Sequence, residues 1–395
     1  MQTSTEYFAG LRLLHAPGPT HVPKDVMDAM SDQPLDMGDP RLEELVTDCE
    51  AGLRNLLGSE KSDVFLYATN GHGAWEAVIV NLASPGQKVL VASTGHFSNS
   101  WAEMTEAMGV EVVRTPYQEG YPIDPASIEA ALNADAAQEI VAVFVVHTDT
   151  ASSITSDVPA IRQAMDRTGH PALLVVDVVA SLGATRFEMD AWGVNVTMGA
   201  SQKGLMSPPG VGFCAADARA MEIARRNPSH RYYWDWVRRQ DAPVYRKFCG
   251  TAPQNHLMGL RAALGLIQRE GYENVLARHI RLSGAVQAAV ECWASTGAVS
   301  FVCQVPAARS VSVTAIHTAP GVVPDEIRRV ARETFNVSIA GGLGPFAGRV
   351  FRIGHLGDLS APMVLGCLAA VEGSFRELNI QVGEGALQAA LQKLS

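Results

Sequence analysis

The sequence predicts an α/β protein, with a mostly parallel sheet in a large domain and a smaller α+β domain after it. Three observations lead there. Apolar runs of strand length alternate with helical patterns from Val64 to Met198, the rhythm of parallel strands joined by crossover helices. The chain has 395 residues, 47% hydrophobic and 18% charged, enough to bury a large core in one long domain or two. Beyond about residue 275 the alternation gives way to a long helical stretch and a new set of short strands.

Taken in order, Val64–Tyr67, Val89–Ala92, Val110–Arg114, Ile140–Val146, Leu173–Asp177 and Val194–Met198 have the composition of buried strands. Between them, Ala74–Leu82, Asn99–Met108 and Pro159–Thr168 are long enough for crossover helices, which suits right-handed β-α-β units. Asp157 precedes the last of these as a cap, and Pro159 falls in its first turn, where a missing N–H is harmless. Pro, Gly and aromatic residues crowd Arg225–Asn255, predicting loops and short helices whose aromatics are buried rather than a flexible linker. After residue 275 come Val299–Cys303, Ser310–Ala315, a helix from Pro324, Val337–Ala340, Val350–Ile353 and a helix from Ala361. The expected division is an N-terminal segment 1–24, a large domain 25–275 and a small domain 276–395. There is no internal repeat and no low-complexity segment.

Composition narrows the function. The net charge is −10 and no block of Lys or Arg offsets it, which argues against nucleic acid or an anionic membrane surface as main partner. The first ten residues carry Glu6 and no cationic start before an apolar run. No apolar stretch reaches the roughly 18 residues of a spanning helix. The six cysteines are scattered, without C-x-x-C spacing and mostly in apolar contexts, as expected of reduced core residues in a cytoplasmic protein. Neither H-E-x-x-H nor a Cys/His cluster occurs, so no metal is assigned.

Lys203 is the residue to explain. Only six lysines occur, and between Ala191 and Ala216 it is the only charged side chain. Apolar and small neighbours in SQKGLMSPPG would desolvate its ammonium and lower its pKa toward use as a nucleophile able to form a Schiff base. The alternative is a lysine snorkelling at a strand end. Asp177 is likewise the only charge between Pro171 and Thr185, at the end of a buried strand. Such a carboxylate needs a cationic partner, and a cofactor pyridinium nitrogen is one candidate. A helix cap or an arginine pair is the other. Third, ATNGHGAWEA follows a strand and opens a helix, so Gly71, His72 and Gly73 can aim N–H groups at a phosphate. It is neither a P-loop nor a dinucleotide fingerprint, and glycines there can also form a simple tight turn. A phosphate-binding helix start, a lone acid and a lone lysine, in that order, are what pyridoxal phosphate chemistry needs.

With these residues in place, nearly the whole chain resembles a fold type I, class V pyridoxal-phosphate aminotransferase, most closely the serine-glyoxylate and alanine-glyoxylate group. The matching pieces are PGPT (Pro17–Thr20), GHGAWEA, TGHFSNSW (Thr94–Trp101), VVDVVASLG (Val175–Gly183), Gly199–Gly210 with Ala200 inserted before SQKGL, YWDW (Tyr233–Trp236) and GRVFRIGHLGD (Gly348–Asp358). The resemblance implies that Lys203 carries the cofactor and shuttles the substrate's proton while Asp177 holds the ring nitrogen. It implies that Phe97 stacks on one ring face and Val179 packs on the other. Gly71, His72 and Gln202 would bind phosphate, joined by Thr251 of a second subunit in a homodimer with its active sites at the interface. Arg352, alone in VFRIG and alternating with apolar residues, would grip the substrate carboxylate as a bidentate fork. His147 and His355 are expected to support the fold. For Phe97, Val179 and Arg352, ordinary core or ion-pair roles stand beside these.

The implied reaction transfers an amino group from a small amino acid, serine or alanine, to glyoxylate or another small 2-oxo acid, with ping-pong kinetics. Three departures bear on the donor. Relatives commonly read H-x-E-[ST]-S-T-G-V where this chain has HTDTASSI (His147–Ile154), so Ala151 replaces a hydroxyl often placed near the cofactor. An Asp-His-Arg-Gly-Pro segment becomes Asp36-Met37-Gly38-Asp39-Pro40, and Tyr-Thr-Pro becomes Gly250-Thr251-Ala252. HTDTASS is similar to pyridoxamine-pyruvate aminotransferase, which keeps pyridoxamine, aspartate or ureidoglycine as alternative donors. The desulfurase and lyase branch usually has a His before the lysine and a reactive Cys on a mobile loop. Here Gln202 precedes Lys203, while Cys303 and Cys367 lie in apolar surroundings.

Overall fold

The computed structural model describes residues 10–394. Its larger sheet has seven strands, in the order Asp63–Thr69, Gly210–Ala216, Val196–Ala200, Leu173–Asp177, Ile140–Val146, Lys88–Ala92 and Glu111–Arg114. Gly210–Ala216 runs antiparallel to both of its neighbours, and the other pairs are parallel. The central strands read as unbroken apolar runs because both faces are covered. Leu174 and Val176 enter one core cluster with Val143, Val145 and Phe213. Leu173 and Val175 enter the other with Val91, Phe144 and Met198. Each fully buried side chain of this size contributes roughly 1.5–3 kcal/mol.

The crossover helices form as their sequences require. Asp157 caps Val158–Thr168 by accepting from Ala160 N, Pro159 sits in the first turn, and Gly169 closes the helix at φ +62°. The strand expected at Val194–Met198 is displaced to Val196–Ala200. Val194 N bonds Met189 O in a turn, and the Asn195 side chain is held by Leu174 N and Asp217. That displacement carries the strand through Ala200 and delivers Ser201 to Lys203 at its end. Helices Pro40–Leu56, Pro125–Ala134 and Ala218–Arg226 and the strand Gly210–Ala216 add to the elements foreseen.

The second sheet has five strands, ordered Leu13–His15, Val337–Gly341, Val350–Gly354, Val313–Thr318 and Val299–Phe301. Its first strand comes from the N-terminal segment and pairs parallel to Val337–Gly341. Helices Tyr272–Trp293, Pro324–Phe335 and Ala361–Glu377 supply its core. The strand expected at Ser310–Ala315 begins only at Val313, because Ser310 N bonds Ser153 O in the larger unit. The segment 225–255 contains short helices Trp236–Arg239 and Val244–Lys247, as its composition predicts, but its aromatics are only partly buried: Trp236 and Phe248 are enclosed, whereas Tyr232 and Tyr245 are exposed. All six cysteines are free thiols, four buried, with Cys249 and Cys292 partly exposed rather than in the core. No described helix is long and apolar enough to cross a membrane.

Candidate active site

Asp177 ends one parallel strand, Lys203 follows the neighbouring strand Val196–Ala200, and Gly71 follows Asp63–Thr69. All three stand at the carboxyl edge of the sheet, where open α/β sheets bind ligands. There they line a cavity of about 280 Å³ together with His72, Trp75, Phe97, Thr150, Val179 and Gln202.

Asp177 is 4% exposed. Its Oδ2 accepts from Trp75 Nε1 at 2.7 Å and its Oδ1 from Val179 N at 2.7 Å. Burial pushes its carboxyl pKa up to about 6, against the pull of those two donors and of the Lys203 charge. Among the described residues no cation pairs with it, so a buried anion faces the cavity without its counter-charge.

Lys203 donates from Nζ to Pro17 O at 2.5 Å. Burial, then the Arg352 charge, lower its pKa to about 8, with Asp177 and Asp149 acting the other way. The PGPT segment forms a strap over this lysine. Thr20 bonds Lys203 O through its hydroxyl at 2.9 Å and Gln202 O through its N–H at 3.2 Å. Gly18, at φ +128°, lies so close that a Cβ there would be 2.3 Å from Lys203 Cδ. A motif that is unspecific in sequence therefore has a specific packing reason.

The helix Gly71–Leu82 begins at an Asn70 cap, whose side chain accepts from His72 N at 3.1 Å and Gly73 N at 3.3 Å. Those two N–H groups, expected to point at a phosphate, already have a partner. Gly73 stands off the cavity wall, and a Cβ on it would be 1.9 Å from Thr69 Oγ1, which makes it a packing glycine. Gln202 carries an enclosed side-chain oxygen that no described residue satisfies. Phe97 is partly buried and meets Trp75 edge-on at 6.3 Å. Thr251 is exposed and is not on this chain's cavity wall.

Arg352 is 5% exposed and lies behind Thr150 rather than on the wall. Nε donates to Gly341 O at 2.7 Å and Nη1 to Thr150 O at 2.8 Å, which leaves Nη2 open. Burial lowers its pKa to about 10, and no described carboxylate pairs with it. Ala151 does not face the cavity. It packs with Ala315, Phe346 and Val350, and the neighbouring Thr150 supplies the cavity-lining residue. His147 and His355 are buried and neutral, with pKa values lowered by burial to about 4 and about 3, and they bond Ser181 and Thr314. No described His, Cys, Asp and Glu residues are grouped to hold a metal.

Sequence reasoning missed Asn70, Trp75, the Pro17 carbonyl and Asp149. Asp149 had a usable signal, since it is the only acid between Glu139 and Asp157. It is fully buried, and burial raises its carboxyl pKa against the bonds from Phe97, Ala151 and Ser152 N–H groups.

The model of the family "Aminotransferase class-V" matches residues 12–344. The chain is a class V aminotransferase. It is 37% identical over 380 residues to the L-aspartate–glyoxylate aminotransferase of Paracoccus denitrificans, covering 95% of this chain and 94% of that protein. It is also 37% identical over 386 residues to the serine–glyoxylate aminotransferase of Methylorubrum extorquens, with 96% and 95% coverage. The crystal structure of ureidoglycine-glyoxylate aminotransferase from Bacillus subtilis superposes with a TM-score of 0.89 at 25% identity, covering 98% of this chain and 99% of that one. As a class V aminotransferase the protein uses pyridoxal phosphate. Its residues fit that group, because one cavity joins a buried acid without a counter-ion, a desolvated amine and an unpartnered amide.

Proposed function

We propose that this aminotransferase moves the amino group of serine or alanine to glyoxylate or another small 2-oxo acid, with Lys203 as the catalytic amine. The observation that carries it is the pairing of Asp177 and Lys203 across one cavity, the acid buried, the amine partly buried, and neither in an ion pair with another described residue. Bound pyridoxal phosphate supplies an electron-poor ring that stabilises negative charge on the carbon bearing the amino group. Asp177 holds the ring nitrogen protonated. Phe97 and Val179 would pack on its faces, Gly71 through its N–H, His72 through its side chain and Gln202 would bind the phosphate, and Gly73 would position the helix that carries Gly71 and His72. Gln202, turned over about its amide, presents N–H donors where its oxygen has none to accept.

Lys203 holds the cofactor through its amine and then moves the proton of the substrate's Cα. Its pKa near 8 makes proton exchange with carbon acids easier than an ordinary lysine allows. Arg352 Nη2 receives the carboxylate of either substrate. Thr251 of a second copy completes the phosphate site in a homodimer, which the exposed side chains of Tyr232 and Tyr245, each 65% exposed, support as an interface. The domain division falls near residue 275, and the protein acts in the cytoplasm without nucleic acid or membrane partners.

The equal identity to the serine and aspartate enzymes favours aspartate as a second donor. A single-turnover panel of serine, alanine, aspartate, ureidoglycine and pyridoxamine, read as conversion of bound aldehyde cofactor to its amine form, decides between them. Serine or alanine fastest supports the proposal, and aspartate or pyridoxamine fastest by tenfold or more refutes it.

A further inference from the structure

Asp149 is a buried charge to which the proposed chemistry gives no task. Its Oδ2 accepts from Phe97 N at 2.8 Å, and its Oδ1 accepts from Ala151 N at 2.8 Å and Ser152 N at 3.2 Å. One carboxylate therefore ties the first turn of helix His96–Ala107 to the turn 150–152. Gly95 permits the approach, since a Cβ there would stand 2.9 Å from Oδ2. The turn matters because Thr150 lines the cavity and its carbonyl accepts from Arg352 Nη1 at 2.8 Å. Phe97 and Arg352 thus depend on one side chain although they come from different parts of the chain.

We propose that Asp149 is a positioning residue for substrate carboxylates, which holds the Thr150 carbonyl against Arg352 and so fixes the guanidinium with Nη2 open. Its charge is suited to this as well as its shape. Arg352 is buried without an ion pair among the described residues, and Asp149 favours its charged form. Asparagine would turn an NH2 group toward one of three N–H donors, leaving a buried donor unpaired. Glutamate keeps the charge but displaces it by one methylene.

The proposal rests on the assignment of Arg352 to the carboxylate, and the test separates the two. Holoenzyme is titrated with glycolate, the unreactive alcohol analogue of glyoxylate, by calorimetry. Bound cofactor and melting temperature are measured on the same samples. Asp149→Asn is expected to weaken glycolate binding on the order of ten- to a hundredfold with cofactor content unchanged, and Asp149→Glu to retain more affinity than the amide. Glycolate binding within twofold of wild type in Asp149→Asn overturns the proposal. So does a joint loss of glycolate, cofactor and melting temperature, which marks a general folding role. Should Asp149→Asn not fold, Asp149→Glu decides, with weakened glycolate at full cofactor content in support and unchanged glycolate against. Arg352→Ala is the control. If it binds glycolate normally, the Arg352 assignment fails. If it loses glycolate while Asp149→Asn does not, only the Asp149 proposal fails.

Discussion

Arg352→Ala is expected to depress both half-reactions, because donor and acceptor present the same carboxylate to Nη2. The magnitude has two parts. Removing the side chain leaves Gly341 O and Thr150 O without their donors at 2.7 and 2.8 Å, a cost on the order of 1–3 kcal/mol for each buried group left unpaired. Relief of an arginine buried without an ion pair offsets part of this, so net destabilisation should be about 1–3 kcal/mol, within reach of a folded enzyme. Losing the charge that receives the carboxylate costs about 2–5 kcal/mol in binding, which is roughly a 30- to several-thousand-fold fall in kcat/KM. Arg352→Lys should recover only part, because an ammonium lacks the planar fork and cannot hold both carbonyls. The assay is stopped-flow kcat/KM for serine, glyoxylate and an amine lacking a carboxylate. Equal losses with all three would refute the reasoning, since the defect would then lie in the fold.

Asp177→Asn should retain cofactor through its phosphate contacts yet lose most turnover, because a neutral amide no longer keeps the ring nitrogen protonated. Wild-type rates at equal cofactor occupancy would assign Asp177 a purely structural role. Ser153 sits at φ +58°, where the family pattern has glycine. Ser153→Gly should therefore stabilise the protein by about 0.5–1 kcal/mol, seen as a raised melting temperature. Stability should fall on acidification below pH 6.5. Burial lowers His147 and His279 to about 4 and His355 to about 3. The unfolded chain therefore binds more protons between 6.5 and those values, and their contribution is lost as pH falls through them. Asp177, raised to about 6, and Asp149, Glu50 and Asp63, also raised by burial, work in the opposite direction, while His15, His72 and His317, lowered by burial, add to the loss. A melting temperature independent of pH from 7 to 4.5 would contradict this.

The strands of the large sheet were legible because burial on both faces leaves runs such as Leu173–Val176 without polar interruption. Gly210–Ala216 was not, since glycines at 210 and 212 resemble a loop and the antiparallel partner comes from far upstream. The lone charges Lys203 and Asp177 announced themselves by contrast with their apolar neighbours. Asp149 carries the same contrast, but in HTDTASSI the departure at Ala151 stands out more than the acid two residues before it. The Asn70 cap on His72 and Gly73, the Trp75 bond to Asp177 and the strap of Pro17 over Lys203 depend on spatial neighbours that no local spacing encodes. Ala151 shows the limit of substitution by alignment. Its side chain turns into an apolar cluster while Thr150 takes the place on the cavity wall.

The most direct test of the central claim is reduction of the purified yellow holoenzyme with borohydride, followed by peptide mapping of the fixed cofactor. The adduct is expected on Lys203 alone, with none formed in Lys203→Ala. An adduct on Lys24, Lys61, Lys88, Lys247 or Lys393 would contradict the account.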